Sequence, residues 1–475
     1  MKALFVTSEC VPFIKTGGLA DVAGALPAEL IRQGAEVRVV LPKYGRISAE
    51  WKGKMSHVMD FFVQFGIGSC YCGIETLTHD GVTYYFIDNE DYFGGDQLYG
   101  EGEGPRFAFF CRCVAEMLLR IDYRPDLLHL NDWETGLLAA MLRTQYTDER
   151  LAGISILYSI HNLRYQGMFD WNHMNGYLGF DGSLYNIDCL EFYGMLNCMK
   201  AGIVFADHVN TVSPTYANEI KTPYYGENLD GLLRKREDAV SGILNGIDRK
   251  LYDPEGDKQL SVHFSADDLS GKAELKRLLQ EEMGLEQNPD IPVISVISRL
   301  TNQKGFDLIE RVLQDILRQD VQLVILGSGD RRYVDLFNWA AWRYPGKVGT
   351  YIGMNEPLAH RIYAGSDMFL MPSQFEPCGL SQMISLRYGT VPIVRETGGL
   401  RDSVKPYNMY TDEGTGFSFA NYNAHEMLYT IERAVGYYYN DKAMWNRLVT
   451  RGMAEDFGWE ASAAKYLKLY EKITK

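Results

Sequence analysis

With 475 residues the chain is longer than one hydrophobic core supports, and its 46% hydrophobic content is ample for two. A formal net charge of −15 excludes nucleic acid as a partner, because a phosphate backbone demands a basic surface. No apolar run approaches the ~18 residues of a membrane helix, and the short apolar start reads as a first strand, so neither a membrane contact nor a signal peptide is expected.

Lys2–Thr7 is apolar and β-rich. Leu19, Val22, Ala23, Leu26 and Leu30 then recur at helical spacing, Gly34 supplies a stop, and Glu36–Leu41 returns as a strand. This βαβ unit carries Gly17–Gly18 at its helix start. Lys15 and the Gly17 and Gly18 amides are therefore expected at the carboxyl edge of a sheet, where open α/β folds bind ligands. In so acidic a chain a nucleotide diphosphate needs cations gathered locally, which makes Lys15, Arg299 and Lys304 informative. Cys70/Cys72 and Cys111/Cys113 have CxC spacing without a His-rich partner run, and read as reduced thiols of a cytoplasmic protein.

Glu90–Pro105 is glycine-rich and acidic and reads as a mobile loop without regular structure. Leu127–Leu130 is a short strand followed by Asn131–Asp132–Trp133, and Ile154–Ile160 is another that ends on His161–Asn162. Polar residues placed directly after buried strands sit at the functional edge. Val209–Val212 precedes Ser213 and Pro214, an N-cap and a first-turn proline.

The turn-rich segment around 241–255 reads as a hinge, which divides the chain into a domain 1–245, a domain 246–450 and a terminal helix 451–475. Strands of the second domain are expected at Val293–Ile297, Leu323–Leu326, Val348–Ile352 and Phe369–Met371, with helical patterns such as Phe306–Leu317 between them. Arg299 and Lys304 fall between a buried strand and a helix. After Met368–Met371, Pro372 ends the strand, a loop carries Glu376, and Gly379 leads into a helix start at Leu380–Ser381–Gln382. Val391–Val394 leads in the same way into Thr397–Gly398–Gly399–Leu400. Helix-start amides in such loops are expected to receive phosphate oxygens. Glu376 beside them suits a neutral polyol. Thr16–Asp21 and Thr397–Asp402 differ only at their fifth position, which suggests matching loops in two domains of similar build. Asp267–Asp268 reads as a solvated pair, and no metal site is expected. Ala463, Tyr466, Leu467, Tyr470 and Ile473 form an apolar stripe on a helix that must dock.

The segment Phe369–Val404 resembles that of bacterial glycogen synthases and plant starch synthases, retaining glycosyltransferases of the GT-B fold. Lys15–Val22, Ile160–Asn162, Ser298–Leu300 and Gln303–Gly305 extend the resemblance, in order and spacing, over nearly the whole chain. It implies an α/β protein with two Rossmann-like domains facing each other across a deep cleft, the terminal helix crossing back to the first. It implies transfer of glucose from ADP-glucose to the 4-hydroxyl of an α-1,4-glucan such as glycogen, with no cofactor. By the resemblance, His161 faces the donor sugar, Asp132 lies in the same cleft, and Glu376 holds the sugar. Arg299 and Lys304 face the departing phosphate, and Asp21 is an alternative carboxylate to Glu376. Lys15, Gly17, Gly18, Asn162, Gly379, Leu380 and Thr397–Leu400 are expected to bind the donor. Two departures stand out: Ile384 occupies the place of a second glutamate found in many retaining GT-B enzymes, and Met354 stands where related synthases carry an aromatic for the base.

Overall fold

A computed structural model describes residues 1–474. Its contacts separate two units: Met1–Asn245 together with the chain from Trp459 onward, and Gly246–Gly458.

The first unit is built on a nine-stranded sheet. Its strands are β1 (Lys2–Val6), β2 (Glu36–Pro42), β3 (Ser56–Phe65), β4 (Gly68–His79), β5 (Val82–Asp88), β6 (Leu127–Asn131) and β7 (Ser155–Ile160). A small sheet interrupts the series with β8 (Met168–Phe169), β9 (Glu191–Phe192) and β10 (Met195–Asn197), after which β11 (His208–Thr211) and β12 (Val240–Gly242) complete the large one. The large sheet runs β12-β11-β7-β6-β1-β2-β5-β4-β3. β1 pairs in parallel with both β2 and β6, so the winding reverses at β1/β6. Ala3–Val6 are almost completely buried, as a continuous apolar strand covered on both faces must be. Beyond β5 the sheet continues as the antiparallel pair β4/β3, which lay outside the sequence reading.

The second unit has one six-stranded parallel sheet. Its strands are β13 (Val293–Ile297), β14 (Gln322–Gly327), β15 (Val348–Ile352), β16 (Met368–Met371), β17 (Val391–Arg395) and β18 (Phe417–Phe419). The order β15-β14-β13-β16-β17-β18 is that of a doubly wound dinucleotide fold, with its reversal at β13/β16. Ligands of such sheets bind outside the strand ends at the reversal.

Two expectations need correction. Glu90–Pro105 is not without structure: Glu90–Phe93 and Glu103–Leu118 are helical. Asn89 caps the first of these helices through Tyr92 N. Phe93 and Leu98 are buried, the Glu103 carboxylate accepts from Gly100 N, and Tyr99 OH lies 3.0 Å from Ser8 Oγ. Local caps and apolar anchors outweigh the glycine content there. The last helix spans Trp459–Ile473 rather than starting at 451, because the preceding helix Lys442–Ala454 runs on in the second unit. It docks within the first unit. Tyr470 OH is 2.7 Å from His129 Nδ1, Asn210 Nδ2 donates to Tyr466 OH, and Ser155 Oγ donates to the Ile473 carbonyl.

Candidate active site

The reversal at β1/β6 gathers the site residues expected in the first unit. After β1 the chain folds back on itself through a bridge between Cys10 and Ile14 before entering the helix Gly18–Arg32. Gly17 is the N-cap of that helix and has no side chain with which to cap it. Lys15 Nζ donates to Asp21 Oδ1 at 2.7 Å, so the two polar candidates of this loop meet as an ion pair. A Cβ at Gly18 would meet nothing within 4 Å, and one at Gly17 only Glu9 Oε1 at 3.5 Å. No packing inside the protein demands glycine there; the space lies open to a close approach from outside.

After β6, Asp132 adopts φ 55° and ψ −176°, a conformation that costs a side-chain-bearing residue of order 1–3 kcal/mol. Its carboxylate accepts from His161 N at 2.7 Å and Asn162 N at 3.4 Å, which ties the end of β6 to the end of β7. Burial raises the Asp132 carboxyl to about 7. The His161 ring places Nε2 2.9 Å from Asn131 Oδ1, and burial lowers its pKa to about 3, so the imidazole is neutral at physiological pH. Asn162 turns its Oδ1 to Arg164 N and so stabilises its own turn. Two buried carboxylates complete this end. Glu9 and Glu134 are both raised by burial, and the charge of Asp132 adds to the shift at Glu134. Glu134 Oε2 has no hydrogen-bond partner among the described residues. Neither glutamate was expected. The rule that singled out Asp132 and His161, a polar residue just past a buried strand, reaches both.

In the second unit the reversal at β13/β16 brings Lys304 and Glu376 together. Lys304 Nζ lies 2.6 Å from Glu376 Oε2, and Ser373 Oγ donates to the same oxygen at 3.0 Å. Both side chains of the pair are largely buried. Glu376 Oε1 accepts no hydrogen bond from the described residues, which leaves one face of the carboxylate for a hydroxyl donor. Arg299 is exposed, and its guanidinium has no partner among the described residues. The sequence sets Lys304 at the phosphate and Glu376 at the sugar; the structure brings the two into direct contact.

The two glycine loops of this unit lie against each other. Gly379 has φ +72°, and a Cβ at Gly398 or Gly399 would fall 1.9 Å from Glu376 O or 2.0 Å from Cys378 O. Gly399 N donates to Glu376 O and Pro377 O, so that amide is already committed within the protein. Gln382, fully buried, places Nε2 within 3.2 Å of Cys378 O, 2.9 Å of Gly379 O and 2.9 Å of Ser403 Oγ, and Ser403 Oγ donates to Gly399 O. Leu380 precedes the short helix Ser381–Arg387, and Thr397 and Leu400 are buried at the start of the helix Gly398–Ser403. Ile384 is a core residue, whereas Met354, just past β15, is 94% exposed.

Two family models match the chain: a starch synthase catalytic domain over residues 2–235 and a glycosyl transferases group 1 domain over residues 281–444. A glycogen synthase of Geobacillus thermodenitrificans is 53% identical over all of this chain and 98% of its own. One of Clostridium novyi is 51% identical over all of this chain and 99% of its own. Among solved structures, the catalytic domain of starch synthase IV from Arabidopsis thaliana, bound to ADP and acarbose, superposes with a TM-score of 0.92 at 34% identity and 99% coverage of both chains. A sucrose-phosphate synthase from Thermosynechococcus elongatus, at 16% identity and a TM-score of 0.61, shares the fold.

Proposed function

The chain belongs to the glycogen and starch synthase family of GT-B glycosyltransferases, and on that premise we propose that it moves glucose from ADP-glucose to the non-reducing 4-hydroxyl of an α-1,4-glucan, with retention. The observation that supports this most is Glu376, held on one oxygen by Lys304 and Ser373 and open on the other.

The C1–O bond to the diphosphate breaks as a new C1–O bond forms to the glucan on the same face. The proton of the acceptor hydroxyl passes to an oxygen of the departing diphosphate. Arg299 and Lys304 offset the charge that develops on that phosphate, where single donors are worth roughly 100- to 1000-fold in rate. Glu376 Oε1 accepts a sugar hydroxyl and steadies positive charge at the ring. Neutral His161 contributes hydrogen bonding without a charge of its own. Lys15 and the Gly17 and Gly18 amides form the donor-phosphate loop. These cations take the part that a divalent metal plays elsewhere, so turnover without added metal belongs to the proposal. So does a cytoplasmic location; among the described residues no helix is long and apolar enough to cross a membrane.

Nucleotide release with glycogen as acceptor, comparing ADP-glucose with UDP-glucose in metal-free buffer, tests all of this. Glycogen-dependent release from ADP-glucose is expected. Release from UDP-glucose alone would overturn the donor, and release only after metal addition would overturn the role given to the cations.

A further inference from the structure

We propose that Glu9 is the positioning residue of the donor-phosphate loop, its buried carboxylate clamping Thr16 so that Lys15 and the Gly17 and Gly18 amides are held ready for a diphosphate. The inference rests on the donor-loop reading above and adds a residue that touches no substrate.

Glu9 is 3% exposed, and its Oε2 accepts both Thr16 N at 2.6 Å and Thr16 Oγ1 at 2.7 Å. Its own backbone is fixed in turn, since Thr7 Oγ1 donates to the Glu9 carbonyl at 2.9 Å. One rigid side chain at the end of β1 therefore reaches across the fold-back and grips the chain immediately after Lys15. The helix that follows needs such an outside anchor, because its N-cap is glycine and offers no side-chain oxygen.

The choice of residue carries the argument. A carboxylate beside a diphosphate loop opposes the ligand's charge, and Asp21 and the β6-end acids Asp132 and Glu134 lie close enough to repel it as well. A merely space-filling position at the end of a buried strand would take a neutral side chain. What glutamate supplies is reach together with an oxygen able to accept several N–H and O–H donors at once, which suits a clamp.

ADP binding by calorimetry and initial rates in donor and in glycogen, on the full-length enzyme, provide the test. Glu9→Ala leaves Thr16 N and Oγ1 without a partner, and is expected to weaken ADP binding and raise the donor KM by about tenfold or more. The KM for glycogen should hardly change. Glu9→Gln keeps an acceptor oxygen and removes the charge, so it should bind ADP within about threefold of wild type or more tightly. Thr16→Val keeps the backbone half of the clamp and should act in the same direction with a smaller effect, adding nothing on top of Glu9→Ala. Unchanged ADP binding in Glu9→Ala, or equal losses in the Gln and Ala variants, would overturn the clamp. Wild-type enzyme that fails to bind ADP would overturn the donor-loop reading itself. Should Glu9→Ala not fold, Thr16→Val decides: a donor KM equal to wild type overturns the proposal.

Discussion

The tetrapeptide Thr-Gly-Gly-Leu occurs in both units, at Thr16–Leu19 and at Thr397–Leu400, each opening a helix, and the two copies use their glycines for opposite reasons. In the second unit the glycines are compressed. Any Cβ at 398 or 399 would lie far inside van der Waals contact with a neighbouring carbonyl oxygen, and Gly399 N is bonded inside the protein. In the first unit they are open: beyond the adjoining backbone, no described residue comes within 4 Å of a Cβ at Gly18. One loop is fastened by its own backbone against 376–378; the other is fastened by a distant side chain, Glu9. An identical motif thus serves packing in one place and leaves room in the other.

The largest expected effects fall on the packed side. Glu376→Ala should lower kcat by roughly 100- to 1000-fold or more while leaving the donor KM nearly unchanged, as steady-state rates in both substrates will show. Equal losses in kcat and donor affinity would remove Glu376 from the sugar. Lys304→Ala should cost a comparable factor. Because it also strands a largely buried carboxylate, the double variant should be far less than additive, and additive effects would mean that the ion pair is incidental.

A smaller pair of substitutions separates the two loops directly. Gly399→Ala should destabilise by about 1–3 kcal/mol through overpacking against Cys378. Gly18→Ala should change stability by less than about 1 kcal/mol and yet weaken ADP binding, because its methyl group fills the open space. Thermal melts and calorimetry on both variants would erase the comparison if Gly18→Ala melted as early as Gly399→Ala.

The last expected effect is a pH dependence at the open end. Burial lifts the Asp132 carboxyl from its ordinary 3.8 to about 7, so the fold favours its protonated form. The folded protein then binds this proton more tightly than the unfolded chain, and the contribution of Asp132 to stability falls as pH rises from about 4 to about 7, staying level above. Asp132→Asn removes its own share of the slope and leaves those of Glu9 and Glu134, so its melting temperature relative to wild type should rise across the same interval. A constant difference from pH 4 to pH 8 would assign the perturbation to another group.

The parallel strands were legible because burial on both faces writes itself as an unbroken β-branched run. Val293–Ile297 stands at the bounds its composition predicts, and so does Val348–Ile352, although that edge strand is half exposed. The antiparallel β3/β4 pair hides the same information. Phe61, Val63 and Phe65 alternate inward, but Phe62 on the outer face is also apolar and masks the period. The GT-B fold and the transferase activity followed from motifs spread along the chain. The contacts that organise the site did not, because Glu9–Thr16 and Lys304–Glu376 are made by fold-back and by sheet winding, and neither leaves a periodic trace. Glycine counts misled at Glu90–Pro105, where Phe93 and Leu98 anchor what composition alone describes as loose.

The docking of Trp459–Ile473 on the first unit has a consequence for synthesis. Tyr466 and Tyr470, the partners of the buried Asn210 and His129, emerge from the ribosome only after every residue of Gly246–Gly458 has been made. The unit that begins the chain is therefore completed last, as an interrupted body waiting on its own closing helix, whereas the inserted unit is complete on leaving the exit tunnel. Nascent chains stalled just before Trp459, with a linker long enough to clear the tunnel, should protect 246–458 from protease and leave 1–245 open to it. Full protection of both would show that β1–β12 hold without their closing helix.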